Sequence, residues 1–117
     1  MRTTTSISSR LIELLRNQEF VKAYTELFSA EAESIDPLNP QPGGLKGLSR
    51  LIQAEEQFLS KVKIHGIEIS EAIHAGSFFS ISLFMSFHLE GKERVIDEIC
   101  VYKVDQGAII SQQFFIS

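Results

Sequence analysis

The sequence predicts one α+β domain in which three helices from the first half of the chain pack on a strongly curved antiparallel sheet and enclose a mostly apolar pocket. Apolar residues recur at helical spacing up to about residue 60 and at strand-like, alternating spacing after it. A stretch that contains all three prolines separates the second helical segment from the third. With 117 residues the chain has room for a single domain, predicted over 1–117.

Two amphipathic helices are predicted first. Each carries apolar residues at i, i+4, i+7 and i+8, the spacing of one helical face, and a polar Asn17-Gln18 break lies between them. The first series is Ile7, Leu11, Leu14 and Leu15, and the second is Phe20, Tyr24, Leu27 and Phe28. After an ordered loop rich in proline and glycine, the helical spacing returns at Leu48 and predicts a third helix that ends near Ser60.

Four strands are predicted after Lys61, because alternation with a period of two is interrupted at Gly76, Gly91 and Gly107. Strands of this length must bend or coil within a twisted sheet. The predicted spans are 62–73, 77–89, 92–104 and 108–116.

A β-bulge is predicted at Gly66 in the first of these strands. The apolar parity switches there, from Val62 and Ile64 before the glycine to Ile67 and Ile69 after it. One extra residue in a strand produces such a switch.

Composition and charge exclude several classes of function. The formal net charge is -4 and the basic residues are scattered, so a nucleic-acid partner is not expected. No apolar run approaches the roughly 18 residues of a membrane span, and the start of the sequence lacks the apolar core of a signal peptide. The single cysteine, Cys100, fits a reducing compartment. We therefore expect a cytoplasmic protein that has no membrane partner.

The second and third predicted strands carry apolar residues on both faces. The helices can cover only one face of the sheet, so the other face requires a different cover. A homodimer through the convex face is the simplest expectation.

Two segments carry a family resemblance. Leu27-Phe28-Ser29-Ala30-Glu31-Ala32-Glu33-Ser34-Ile35-Asp36-Pro37 resembles the segment of nuclear transport factor 2-like proteins in which a helix ends, acidic residues follow and Asp-Pro closes a short strand. Asp97-Glu98-Ile99-Cys100-Val101-Tyr102-Lys103-Val104-Asp105-Gln106-Gly107 and Gln113-Phe114-Phe115 resemble the last hairpin of uncharacterised bacterial SnoaL-like proteins. This superfamily includes the ketosteroid isomerases.

The resemblance covers nearly the whole chain and implies a cystatin-like cone. It also implies that a small, largely apolar molecule binds in the cone. The implied chemistry is cofactor-free acid/base catalysis of the isomerase, cyclase, dehydratase or hydrolase type. A non-catalytic ligand-binding or dimerisation module on the same cone is the alternative.

Asp36 is the first candidate catalytic residue. The resemblance places it where ketosteroid isomerases hold their general base. The proline that follows keeps Asp36 extended, although an Asp at this position also commonly begins a turn. The same alignment puts Ile12 at the position of the isomerase oxyanion-hole tyrosine, and Glu98 or Ile99 at that of the protonated aspartate, so classical ketosteroid isomerase activity is not expected.

Glu98 is the second candidate catalytic residue. It shares a strand face with Cys100 and Tyr102, and if that face turns inward, burial raises the pKa of its carboxyl and allows it to donate a proton. The alternative facing puts Asp97 inside and Glu98 in solvent.

Four further residues are predicted to bind the substrate: Glu55, Tyr24, Tyr102 and His65. Glu55 lies in the apolar arc of the third helix, where an acid requires a partner or a cavity, unless its long side chain escapes at the helix edge. The two tyrosines offer hydroxyls to a ligand oxygen or fill the core. His65 lies beside the predicted bulge and either lines the pocket or is a partly exposed strand histidine.

No metal site and no cofactor are expected. The histidines at positions 65, 74 and 88 have no metal-ligand spacing, and the sequence contains no catalytic triad spacing and no phosphate-binding glycine loop.

Overall fold

A computed structural model describes residues 2–117, which form three helices and seven strands. None of the helices in this range is long and apolar enough to span a membrane. The elements are α1 (Thr4–Arg16), α2 (Phe20–Leu27), β1 (Phe28–Ile35), β2 (Leu45–Lys46), α3 (Leu48–Lys61), β3 (Val62–Ile69), β4 (Ile73–Ala75), β5 (Phe78–Leu89), β6 (Lys92–Asp105) and β7 (Ala108–Ile116).

The seven strands form one open, mixed sheet in the order β2-β1-β7-β6-β5-β3, with β4 paired to β5. The prediction of an antiparallel sheet is corrected at one position, because β1 runs parallel to β7. Strands β5, β6 and β7 follow one another by tight turns and are therefore antiparallel. Strand β1 reaches the free edge of β7 only after α3 and the whole meander have intervened, and such a long crossover permits parallel pairing.

The last three predicted strands agree with the structure to within a residue, whereas the predicted strand 62–73 ends at Ile69. Ser70 interrupts the ladder: its backbone N–H donates to Ser82 O at 3.0 Å, and its Oγ accepts from Ser82 N at 2.8 Å. Because the hydroxyl takes the place of a backbone acceptor, the regular pairing stops, and β4 begins as a separate strand at Ile73.

The β-bulge predicted at Gly66 is confirmed. Ile64 pairs with Phe87 and Gly66 pairs with Ser86, so the register shifts at His65, which lies between them. The extra residue lets Ile64 and Ile67 both pack against the core although they are three positions apart.

The apolar core lies between the helices and the concave face of the sheet. Ile7, Leu11 and Leu14 of α1 are at most 1% exposed, and they meet strand residues such as Phe79 and Ile109 that are equally buried. Thr3 caps α1 by accepting from Ser6 N at 3.0 Å. The helices therefore cover the concave face, and the convex face is left with exposed apolar side chains: Phe84, Val95, Ile99 and Phe115.

Candidate active site

A cavity of about 480 Å³ lies between the three helices and the concave face of the sheet. Most of its wall is apolar, with side chains from α1, α2, α3 and the inward positions of β5, β6 and β7. The apolar wall includes Leu11, Leu15, Phe20, Phe28, Leu51, Phe58, Leu83, Met85, Ile96 and Phe114. A volume of this size suits a small organic molecule.

Five of the six predicted site residues line this cavity: Asp36, Glu55, Glu98, Tyr24 and Tyr102. They come from the segment after β1 and from α3, β6 and α2, so residues far apart in sequence converge on one space. The structure establishes their positions, and their roles in catalysis or binding stay predictions.

Glu98 lies on the concave side of β6. Of the two orientations that the sequence allowed, this is the one in which Glu98 points inward and Asp97 points to solvent. Cys100 and Tyr102, which share its face, are 0% and 3% exposed, whereas Asp97 is exposed on the convex side. Side chains two apart on a strand share a face, so the burial of Cys100 and Tyr102 fixes the direction of Glu98. Burial also raises the pKa of the Cys100 thiol, which argues against a nucleophilic role for it.

Asp36 both begins a turn and lines the cavity, the two alternatives that its sequence context allowed. Its Oδ1 accepts a hydrogen bond from Leu38 N at 2.9 Å, as in an Asx turn, and the residue also lines the cavity. The turn therefore holds the carboxylate in place at the cavity wall.

Two glutamates in the cavity have strongly raised pKa values. Burial raises the pKa of Glu55 to about 7, and the negative charge of Asp36 adds to the effect. Burial likewise raises the pKa of Glu98 to about 7, with further contributions from Asp36 and then Glu55. Burial in an apolar wall, together with repulsion among Asp36, Glu55 and Glu98, thus favours the protonated forms of Glu55 and Glu98.

A buried amide that the sequence analysis did not identify organises the polar side of the cavity. Gln112 is 4% exposed, and its Nε2 donates to Tyr24 Oη at 2.8 Å and to Ser34 Oγ at 3.0 Å. Because the Tyr24 oxygen accepts this bond, the phenolic proton stays free to donate to another group. The sequence pattern that indicates an inward-facing Gln112 is that it has the same strand parity as the apolar Phe114.

Both tyrosines remain protonated in this environment. Burial raises the pKa of Tyr24, and nearby Glu55 adds to the shift. Burial raises the pKa of Tyr102 as well. The Tyr102 ring stacks on Phe79, with centroids 5.0 Å apart, which fixes its orientation. Each phenol can therefore act as a neutral hydrogen-bond donor.

The prediction that His65 lines the pocket is corrected. His65 directly follows the inward-facing Ile64 and points to the convex face, where its side chain is 42% exposed and its Nε2 lies 3.2 Å from Glu93 Oε1. The inward facing of Val62 and Ile64 assigns Lys63 and His65 to the opposite face by simple alternation. The exposed-histidine alternative is the one that the structure supports.

The cavity can support proton transfer. Its described lining includes the carboxyls of Asp36, Glu55, Glu90 and Glu98, two phenols, and Lys61 as the basic side chain. Ile12, at the position of the isomerase tyrosine, is 5% exposed and packs in the core instead of the cavity wall. The hydroxyls that line the cavity are those of Tyr24, Tyr102 and Ser34.

Solved structures resemble the chain over almost its whole length. A proposed SnoaL-like polyketide cyclase from Mesorhizobium loti superposes with a TM-score of 0.89 at 19% identity, covering 97% of this chain and 98% of that one. A Catenulispora acidiphila protein with a ketosteroid isomerase-like fold, solved with trimethylamine, gives 0.74 at 18%, covering 98% and 88%. An LEH-like epoxide hydrolase from Mycobacterium tuberculosis gives 0.74 at 10%, covering 97% and 82%.

At these identities the structural similarity shows the fold alone, and it confirms the predicted α+β cone. No curated protein matches the sequence. The model of one protein family, described as the SnoaL-like domain, matches residues 2–116. The chain therefore belongs to the SnoaL-like domain family.

Proposed function

We propose that this protein binds a small, largely apolar molecule in the cavity and catalyses a cofactor-free proton transfer on it. The observation that carries the proposal is the convergence of Asp36, Glu55, Glu98 and the Tyr24 hydroxyl on one apolar cavity. Carboxyls in such surroundings are costly to retain unless they have a partner or a task.

The acidities suit chemistry near neutral pH. A group with a pKa near the working pH is present in both protonation states and can donate or accept a proton. Glu55 and Glu98, each with a pKa of about 7, meet this condition. Asp36 is the better candidate for the base, because the Leu38 amide fixes its carboxylate at the wall of the cavity.

In the proposed reaction the substrate loses one proton to the protein and receives one proton from it. Asp36 takes a proton from the carbon beside a carbonyl, and the electron pair that is left moves to the carbonyl oxygen. Tyr24 or Tyr102 donates a hydrogen bond to that oxygen, and protonated Glu98 returns a proton to the substrate. Isomerisation and aldol-type cyclisation begin with this step, and dehydration or epoxide hydrolysis can use the same acid and base.

Hydrogen–deuterium exchange tests the first step without knowledge of the natural substrate. The probe is 4-phenylcyclohexanone in D₂O, with its binding followed by NMR titration and deuterium uptake beside the carbonyl followed by mass spectrometry. We expect faster uptake with the wild-type protein than in buffer. The acceleration should be lost in Asp36→Asn and kept in Asp105→Asn, which changes an exposed Asp. Binding of the ketone with exchange at the buffer rate would contradict the proposal.

The second candidate function is ligand binding without catalysis. The observation that favours it is the Tyr24–Gln112–Ser34 network, in which the hydroxyls are anchored to an amide as they would be in a structural core. In that case the ketone still binds, and Asp36→Asn changes its affinity while exchange remains at the buffer rate in every variant.

We also propose that a second copy of the chain covers the convex face. The outward side chains of β6 have two acids in its first half, apolar residues between and after them, and a lysine near its end: Glu93, Val95, Asp97, Ile99, Val101 and Lys103. A two-fold axis near Ile99 would stack the apolar residues of two copies and bring Lys103 of one toward Asp97 of the other. Ile99 is 52% exposed and pairs with Phe115, itself 53% exposed, so the centre of this face is apolar.

Analytical ultracentrifugation tests this assembly. We expect a dimer at micromolar concentration, a monomer for Ile99→Glu, and a dimer for the control Gln53→Glu, which adds the same charge on an exposed helix position. A wild-type protein that sediments only as a monomer would contradict the dimer.

A further inference from the structure

We propose that the convex face carries a binding site for a divalent transition-metal ion, formed by His65, His88 and Glu93. These residues come from β3, β5 and β6, and each offers one ligand atom. The site is separate from the cavity, since none of the three side chains lines it. The proposal therefore does not rest on the proposed function.

The strand register brings the three side chains together. His88 and Glu93 are direct cross-strand partners next to the β5–β6 turn. His65 joins them because it follows the inward-facing Ile64 and so shares the convex face with Lys63, the cross-strand partner of His88.

The distances already approach those of a metal centre. Glu93 Oε1 lies 2.9 Å from His88 Nδ1 and 3.2 Å from His65 Nε2, and all three ligand atoms lie within 4.8 Å of one another. Tetrahedral Zn²⁺ with ligands at about 2.0–2.1 Å separates neighbouring ligand atoms by about 3.3 Å. Movements of a few tenths of an ångström up to about 1.5 Å would therefore complete the geometry, and exposed side chains can make them.

The donor set indicates which ions fit. Two imidazole nitrogens and one carboxylate oxygen suit Zn²⁺, Ni²⁺ and Cu²⁺, whereas Mg²⁺ and Ca²⁺ prefer oxygen ligands throughout. Three protein ligands leave at least one position for water or a further ligand.

The same cluster has an alternative role as a simple ion pair. In that role a protonated imidazole donates to Glu93, and Lys63, the cross-strand partner of His88, adds positive charge nearby. A metal ion and a proton compete for the same nitrogen lone pairs, so the two roles predict different results in a metal titration.

The test is a calorimetric titration of the chelator-treated full chain with ZnCl₂. We expect one Zn²⁺ per chain and at least a tenfold weaker affinity for both His65→Gln and His88→Gln. The control His74→Gln changes a histidine that instead contacts Ser8 Oγ at 2.8 Å, and it should keep the wild-type affinity. With Co²⁺ as the probe, the wild type should give the visible absorption of a tetrahedral complex, and His88→Gln should not.

Three results would overturn the site. These are no zinc binding by the wild type, binding that persists in both His65→Gln and His88→Gln, and binding that depends on His74. Circular dichroism of each variant separates loss of the ligand from loss of the fold. All three histidines are partly or fully exposed, so we expect the variants to fold.

Discussion

Glu98 and Glu93 lie five residues apart on the same strand, and an odd separation puts their side chains on opposite faces of the sheet. On the concave side, burial raises the pKa of Glu98 to about 7, with additional effects of Asp36 and Glu55. On the convex side, the hydrogen bond from His88 lowers the pKa of Glu93.

The face of the strand on which a carboxyl group lies is therefore enough to decide which chemistry it can perform. Among apolar neighbours and other acids, the carboxyl holds its proton up to neutral pH and can act as a general acid. Beside two imidazoles and water it stays anionic, which is the state in which it can bind a cation.

The largest expected effect is a loss of activity, which we expect for a substitution on the concave face and not for one on the convex face. Glu98→Gln removes a titrating group from the cavity and should slow the catalysed deuterium exchange by about 100-fold or more, the usual contribution of a general acid or base. The matched control is Asp97→Asn, one residue earlier on the convex face, for which we expect the wild-type rate. Equal losses in both variants would show that the effect does not arise in the cavity.

The next effect concerns the buried network of the concave face. Gln112→Ala leaves the hydroxyls of Tyr24 and Ser34 without their donor, so it should lower the free energy of unfolding by about 2 kcal/mol. The adjacent Gln113→Ala should cost less than about 0.5 kcal/mol, because this less buried residue has no comparable network. Urea denaturation of both variants measures the difference, and similar losses would contradict the structural role of Gln112.

The raised pKa values predict that stability falls as the pH rises. Burial raises the pKa of Glu55 from 4.5 to about 7, so at intermediate pH the folded protein holds a proton that the unfolded chain has released. The stabilisation is complete below about pH 4.5 and is lost as the pH rises through 7. Relative to wild type, Glu55→Gln should gain roughly 1–2 kcal/mol between pH 5 and pH 8.

Thermal unfolding at the two pH values measures this gain. The control is Glu56→Gln, on the exposed side of the same helix, whose stability relative to wild type should change little with pH. A constant difference between wild type and Glu55→Gln would show that Glu55 titrates normally.

The smallest effect is expected on the convex face. Glu93→Gln, measured by urea denaturation at pH 7 without metal, should leave the denaturation midpoint almost unchanged, as is usual for exposed ion pairs. Because the pKa of Glu93 is lowered, the pH dependence of its contribution to stability is opposite to that of Glu55. This small contribution is present at neutral pH and is lost as the pH falls. A large loss at pH 7 would mean that the proposed dimer contact, centred on Ile99, extends along β6 as far as Glu93.

The local features of the fold were largely predictable from the sequence. Helical and alternating spacing identified the helices and three of the four long strands, and a parity switch located the bulge at Gly66. Glu55 and Glu98 could be placed at the cavity because each interrupts an apolar face, and such an interruption is visible in a linear pattern.

The non-local features were not predictable. The parallel pairing of β1 with β7 joins Glu33 to Ser111, and no local pattern reports such a pair. Gln112 was missed because it shares strand parity with Phe114 while Gln113 shares it with Phe115, so parity does not choose between the two amides, and the register opposite Tyr102 does. His65, by contrast, could have been placed correctly, because alternation with the inward-facing Val62 and Ile64 puts it on the convex face.

The pairing of β1 with β7 also has a consequence for how the molecule folds. The Gln112 bonds to Ser34 and Tyr24 span 78 and 88 residues, so they close some of the largest loops in the chain. Closing large loops is slow, and β7 is the last strand to emerge during synthesis. We expect the helices and the β5–β6 hairpin to form while the cavity is still open on one side, and the polar side of the cavity to be assembled in the final step.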